Sequence, residues 1–147
     1  MRILEKSMNA ARGILPKSLS VDRKPYHVAF LFKGNKLITI GTNSYKSTPR
    51  VHYFGKKFNI SKYKLYSYPH AEIDAISKAW DKVYIDSNFS MVVIRMNHLY
   101  ETRKSKPCAD CQSIINAIGI EKVWWSEDNQ TVTDGKKVYH LTEGASQ

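Results

Sequence analysis

Apolar runs, one stretch of helical spacing and the turn residues between them mark the elements of this chain. Residues 2–12 (RILEKSMNAAR) have helical composition, with Gly13 and Pro16 as stop signals. Residues 26–32 (YHVAFLF) and 36–42 (KLITIGT) are β-rich and apolar, and Lys33-Gly34-Asn35 between them predicts a tight antiparallel hairpin. Residues 70–80 (HAEIDAISKAW) place Ile73, Ile76 and Trp80 at helical spacing on one face. Residues 90–96 (SMVVIRM) predict a buried strand, and 97–106 a polar connection. Pro107 is expected to open a second helix, which runs through CADCQSIINAIG and stops at Gly119. Residues 122–126 (KVWWS) predict a short strand, and Asp134-Gly135 in the tail predicts a final hairpin or edge strand.

Strands alternating with helices imply an α/β layer in which helices cover a mixed sheet. The 147 residues are expected to form one domain, 1–147, without internal repeats. Within it, 1–25 is an N-terminal helix and lead-in, and 127–147 a tail or edge hairpin. The apolar fraction of 42% and charged fraction of 24% exclude a disordered chain, and two cysteines exclude a disulfide miniprotein. The longest apolar run is Val28–Phe32, too short to span a bilayer. The N-terminal stretch lacks the long apolar core of a secretory signal, so a cytoplasmic location without a membrane partner is expected.

Charge changes this picture in one segment. The net charge is +10, yet residues 23–71 hold ten Lys/Arg and no Asp or Glu, while the remainder of the chain balances. A one-sign segment attracts polyanions, or else makes a solubilising surface. Within it, residues 44–69 lack a clean period and interleave Tyr45, Tyr53, Phe54, Phe58, Tyr63, Tyr66 and Tyr68 with Lys46, Arg50, Lys56, Lys57, Lys62 and Lys64. Rings mixed with cations suit single-stranded nucleic acid. They suit equally a loop packed on its body, or a clamp on one 5′-phosphate, for which Lys46 and Arg50 are the candidates.

The chemistry lies at the start of the two later helices. One begins Pro69-His70-Ala71-Glu72, and the other Pro107-Cys108-Ala109-Asp110-Cys111. Cysteines three apart share one helix face, and a helix N-terminus favours their thiolates. Two thiolates and one imidazole make three zinc ligands, leaving a fourth position for water, as catalytic zinc sites do. Glu72 stands two residues from His70, suited to general acid–base work beside the metal rather than to ligation. Either half alone is a weak signal. Together they read H-x-E…P-C-x-x-C, the signature of zinc nucleobase deaminases.

By these residues the chain resembles the cytidine/deoxycytidylate deaminase superfamily over residues 26–126. The matching stretches are the hairpin ending Gly41-Thr42-Asn43, PHAEIDAI, MVVIRM, SKPCADC and GIEKVWWS. The resemblance implies a three-layer α/β/α sandwich around a mixed five-stranded sheet. It implies one zinc ion on His70, Cys108 and Cys111, with Glu72 as the proton shuttle. It implies that Asn43 binds the sugar or backbone of the substrate and the Ala71 backbone the pyrimidine edge; the family often forms homo-oligomers. Trp125 is a further candidate for the base pocket, although core packing explains a strand tryptophan equally well. Histidine at position 70 resembles the deoxycytidylate, tRNA-adenosine and polynucleotide branches, since nucleoside deaminases usually carry Cys there. Polynucleotide editors typically place Ser-Trp-Ser before Pro-Cys, where this chain has Ser105-Lys106.

The expected function is therefore hydrolytic deamination of cytosine to uracil in a nucleotide such as dCMP or CMP. One alternative is a deaminase of cytosine in single-stranded DNA or RNA. Another is a non-catalytic zinc module that binds nucleic acid, against which the retained Glu72 argues. His27, His98 and His140 read as ordinary strand, connection and tail residues, and His52 as a basic-loop residue able to touch phosphate.

Overall fold

The computed structural model describes residues 2–14, 26–43, 53, 56–58 and 70–141. Helix α1 (Arg2–Ile14) is followed by β1 (Tyr26–Lys33), β2 (Lys36–Thr42), α2 (Ala71–Ala79), β3 (Phe89–Met96) and β4 (Thr102–Arg103). Then come α3 (Ala109–Ile118), β5 (Lys122–Glu127), β6 (Thr131–Thr133) and β7 (Val138–His140). Helix α1 continues through Gly13 to Ile14. The sheet order is β2-β1-β3-β5-β6-β7, with β4 paired to β3. Every pairing is antiparallel except β3–β5, which α3 joins as a parallel crossover.

Alternation along the central strands sorts side chains into two layers. Ala29 and Leu31 of β1, Met91 and Val93 of β3, and Val123 of β5 pack against Ile73, Ile76, Ile114 and Ile115 of α2 and α3. On the other face Val28, Phe30, Val92, Ile94 and Trp124 pack against Ile3, Leu4 and Met8 of α1. The result is the expected three-layer α/β/α sandwich.

The sheet has seven strands rather than the expected five. The tail adds β6 and β7 as an antiparallel hairpin outside β5, turning at Gly135, whose φ of 93° favours glycine. The third strand beyond the four read ahead of the tail, β4, lies in the stretch expected to be a plain polar connection. Its polarity hides a buried hydrogen-bond network. Ser105 Oγ donates to the Val93 carbonyl at 2.7 Å and accepts from the Ser126 N–H at 2.8 Å. Ser126 Oγ donates to the Arg103 carbonyl at 2.7 Å and accepts from the Arg95 N–H at 2.9 Å. These bonds fasten residues 103–105 to β3 and β5, directly ahead of the cysteine pair.

Helix α2 is docked on β2 at close range. The Thr39 hydroxyl donates to the Ala75 carbonyl, Lys78 Nζ to the Ile40 carbonyl, and the Thr42 N–H to Asp74 Oδ2. Gly41 lies between these contacts, and a Cβ there would collide with the backbone of Ala71 and Ala75. Gly41→Ala must push α2, with His70 and Glu72 at its start, away from the sheet. Overpacking of this kind costs about 1–3 kcal/mol. Chemical denaturation is expected to show that loss, with a larger proportional loss of activity than at a core site remote from α2.

Candidate metal centre and active-site pocket

Helices α2 and α3 start side by side, and each begins on a ligand-type residue. His70 is the N-cap of α2 (φ −72°, ψ 158°) and Cys108 the N-cap of α3 (φ −68°, ψ 168°). Their carbonyls accept the first helical bonds, from the Asp74 and Gln112 N–H groups, but neither side chain caps its own helix. Pro107 therefore precedes the N-cap instead of opening the helical turn. The extended backbone at Cys108 lets its side chain leave the helix axis, and Cys111 comes off the first turn on the same side.

These side chains converge. Cys111 Sγ lies 3.3 Å and Cys108 Sγ 3.7 Å from His70 Nδ1, and the three donor atoms all lie within 4.8 Å of one another. Tetrahedral zinc, with bonds of about 2.3 Å to sulfur and 2.0–2.1 Å to nitrogen, needs sulfur and nitrogen about 3.5 Å apart. The observed pair brackets that distance, so the donor set fits the ion. Neither cysteine is in a disulfide; Cys111 is buried and Cys108 faces solvent. Two helix N-termini aimed at one point add positive potential, which favours thiolates there. Among the described residues this is the only such group of three metal-ligand residues.

A pocket of about 310 Å³ opens beside the group, lined by His70, Cys108, Ala71, Glu72, Asn43, His27 and Lys106. Glu72 is 4% exposed on the first turn of α2, so its carboxylate is withdrawn from bulk water. The Asn43 side-chain oxygen accepts the His27 N–H at 3.2 Å, while the Asn43 N–H donates to the His27 carbonyl at 3.4 Å. This clasp ties the end of β2 to β1 and holds Asn43 at the pocket wall, with its amide N–H₂ uncommitted among the described residues.

Two lining residues escape the sequence reading. His27 has the same parity as Ala29 and Leu31, so it shares their face of β1 and reaches the pocket. Burial pushes its pKa down to about 4, helped by the nearby charges of Arg95 and His70. Near neutral pH it is a neutral ring offering one donor and one acceptor. Lys106 stands immediately before Pro107, where the motif alone gives no reason to look. Trp125 faces the same side of the sheet but does not line the pocket; Lys106 Nζ lies 5.5 Å from its ring centroid, and its Nε1 donates to Glu127 at 2.8 Å. Lys46, Arg50 and His52 lie outside the described residues.

The model of the cytidine and deoxycytidylate deaminase zinc-binding region matches residues 1–127. A 1.6 Å crystal structure of cytidine deaminase from Burkholderia pseudomallei shares the fold, with a TM-score of 0.52 at 17% identity. That similarity covers 94% of this chain and 88% of the other. No curated protein gives a significant match. No helix among the described residues is long and apolar enough to cross a membrane.

Proposed function

Since this chain belongs to the cytidine and deoxycytidylate deaminase zinc-binding family and is a zinc-dependent deaminase, we propose that its substrate is a single cytosine nucleotide such as dCMP or CMP, handled in the cytoplasm by one deaminase domain spanning 1–147. The observation that carries this reading is the pocket itself. At about 310 Å³ it has the size of a small-molecule site, and it joins His70 and Cys108 of the ligand group, a buried carboxylate and a cation in one wall.

In this reading His70, Cys108 and Cys111 hold zinc. Bound zinc supplies the Lewis acidity that makes water nucleophilic near neutral pH. The Glu72 carboxylate takes a proton from the attacking water and delivers it to ring N3 as oxygen bonds to C4. It then passes the second proton to the exocyclic amine, the C4–N bond breaks, and ammonia leaves uracil behind. Burial of Glu72 keeps those protons within the pocket. The Ala71 backbone and the Asn43 amide are the groups offered to the base edge and the sugar.

A second reading, deamination of cytosine in single-stranded DNA or RNA, draws on the cationic excess in residues 23–71. A panel of dCMP, CMP, deoxycytidine and cytosine-bearing oligonucleotides, read by mass for loss of the amine, separates the two. The expected result is turnover of dCMP or CMP with inert oligonucleotides and a shallow salt dependence. Oligonucleotide turnover with inert monomers, falling steeply with salt as counterion release requires, would overturn the nucleotide reading.

A further inference from the structure

We propose that Lys106 is the residue that reads the phosphate of the substrate, held in place as a fixed cation by Trp125. This rests on the nucleotide reading above and names the side chain that would separate a nucleotide from its nucleoside.

Lysine is normally a poor specificity element, because a flexible four-carbon stem carries its charge. Lys106 is constrained at both ends. Its backbone sits between Ser105 and Pro107, both buried. Ser105 is bonded to β3 and β5 through its hydroxyl, and its N–H donates to the Ser126 carbonyl at 2.9 Å. At the other end the ammonium rests 5.5 Å from the centroid of the Trp125 ring. That ring is fixed by the bond from its Nε1 to Glu127, a carboxylate thereby engaged with the indole. The ring also lies against the tail turn, where a Cβ on Gly135 would come within 3.2 Å of it. No carboxylate pairs with Lys106 among the described residues.

The surrounding charge favours an anion. Arg95 stands opposite His27 in the β1–β3 register, on the same face of the sheet. Its Nη1 donates to the Lys104 carbonyl at 3.3 Å, while its buried Nε has no partner among the described residues. Lys106 thus lines the pocket, and Arg95 adds a second cation on the strand residue opposite the lining His27. The one carboxylate among the pocket's described lining residues is Glu72, which the proposed chemistry keeps at the base. A phosphate attached to the sugar of a base seated beside Glu72 would find the ammonium at the same pocket wall.

The test is kcat/KM for dCMP and for deoxycytidine, measured on zinc-loaded wild type, Lys106→Ala, Trp125→Leu and Trp125→Phe, each checked for metal content and folding by circular dichroism. Wild type is expected to prefer dCMP. In Lys106→Ala the dCMP-to-deoxycytidine ratio of kcat/KM should fall roughly 10- to 100-fold, as expected for loss of a charge-assisted contact, and the change should lie mainly in KM. Trp125→Leu should lower the same ratio by a smaller factor, and Trp125→Phe, which keeps a ring under the ammonium, should recover most of it. An unchanged ratio in a folded, zinc-loaded Lys106→Ala overturns the assignment of Lys106 while leaving the nucleotide reading intact. A wild-type enzyme inert toward both dCMP and CMP removes the nucleotide reading and, with it, this inference.

Discussion

Glu72→Ala is expected to retain one zinc per chain and to lose turnover of the cytosine substrate by a factor of at least about 100, and up to about 10,000, the range of general acid–base catalysis. The carboxylate is buried at the start of α2, in the pocket wall beside the ligand group but outside it. Its removal should therefore spare the metal and take away the proton carrier. Glu72→Gln is the sharper variant, because it keeps the shape of the side chain and removes only its ability to accept a proton. Zinc content by mass spectrometry and kcat are the two measurements. Full zinc with kcat near zero in both variants is the expected pair of results. Substantial residual turnover in Glu72→Gln would take Glu72 out of the proton path, and zinc loss in either variant would place it among the ligands.

Cys108→Ser should lose zinc and lower the thermal midpoint on the order of 10 °C. A ligand held at a thousand times its dissociation constant adds about 4 kcal/mol, and each kcal/mol moves the midpoint of a domain this size by about 2–4 °C. Serine is an informative replacement here because Cys108 is the N-cap of α3 and makes no side-chain cap. Serine is a favoured N-cap residue, so the substitution should improve the bare helix by up to about 1 kcal/mol. A cysteine with a purely structural role would thus give a neutral or stabilised variant with unchanged metal content. A zinc ligand gives the opposite sign. Wild-type protein stripped by a chelator should melt close to the variant, and zinc should raise the midpoint of the wild type alone.

The fold was largely legible because its signals are local. The 3.6 period over 70–80 and the β-rich apolar run over 26–32 name a helix and a strand without reference to the remainder of the chain. Helix ends were less legible. Both His70 and Cys108 lie inside the expected helices but are their N-caps in the structure, since a boundary depends on which carbonyl accepts the first bond. The strand count was missed for a related reason. Thr102, Ser105 and Ser126 are polar in sequence and buried in the fold, and only hydrogen bonds to backbone groups distant in sequence make that burial tolerable: the Gln130 N–H donates to Thr102, and both serine hydroxyls donate to carbonyls and accept from N–H groups.

The sequence alone determined the chemistry of this protein. His70, Cys108 and Cys111, the group able to hold the metal, and Glu72, the proposed proton carrier, have types, spacing and positions at helix starts that follow from short stretches of chain. What tertiary structure decided is the composition of the pocket around them. His27, Asn43 and Lys106 lie on three different segments, and they line one wall because β1 pairs with both β2 and β3 and because residues 103–105 are fastened between β3 and β5. No local period encodes that meeting. It is set by strand pairing across long sequence separations, which places side chains by register, and so makes Lys106 part of the pocket although the motif stops one residue short of it.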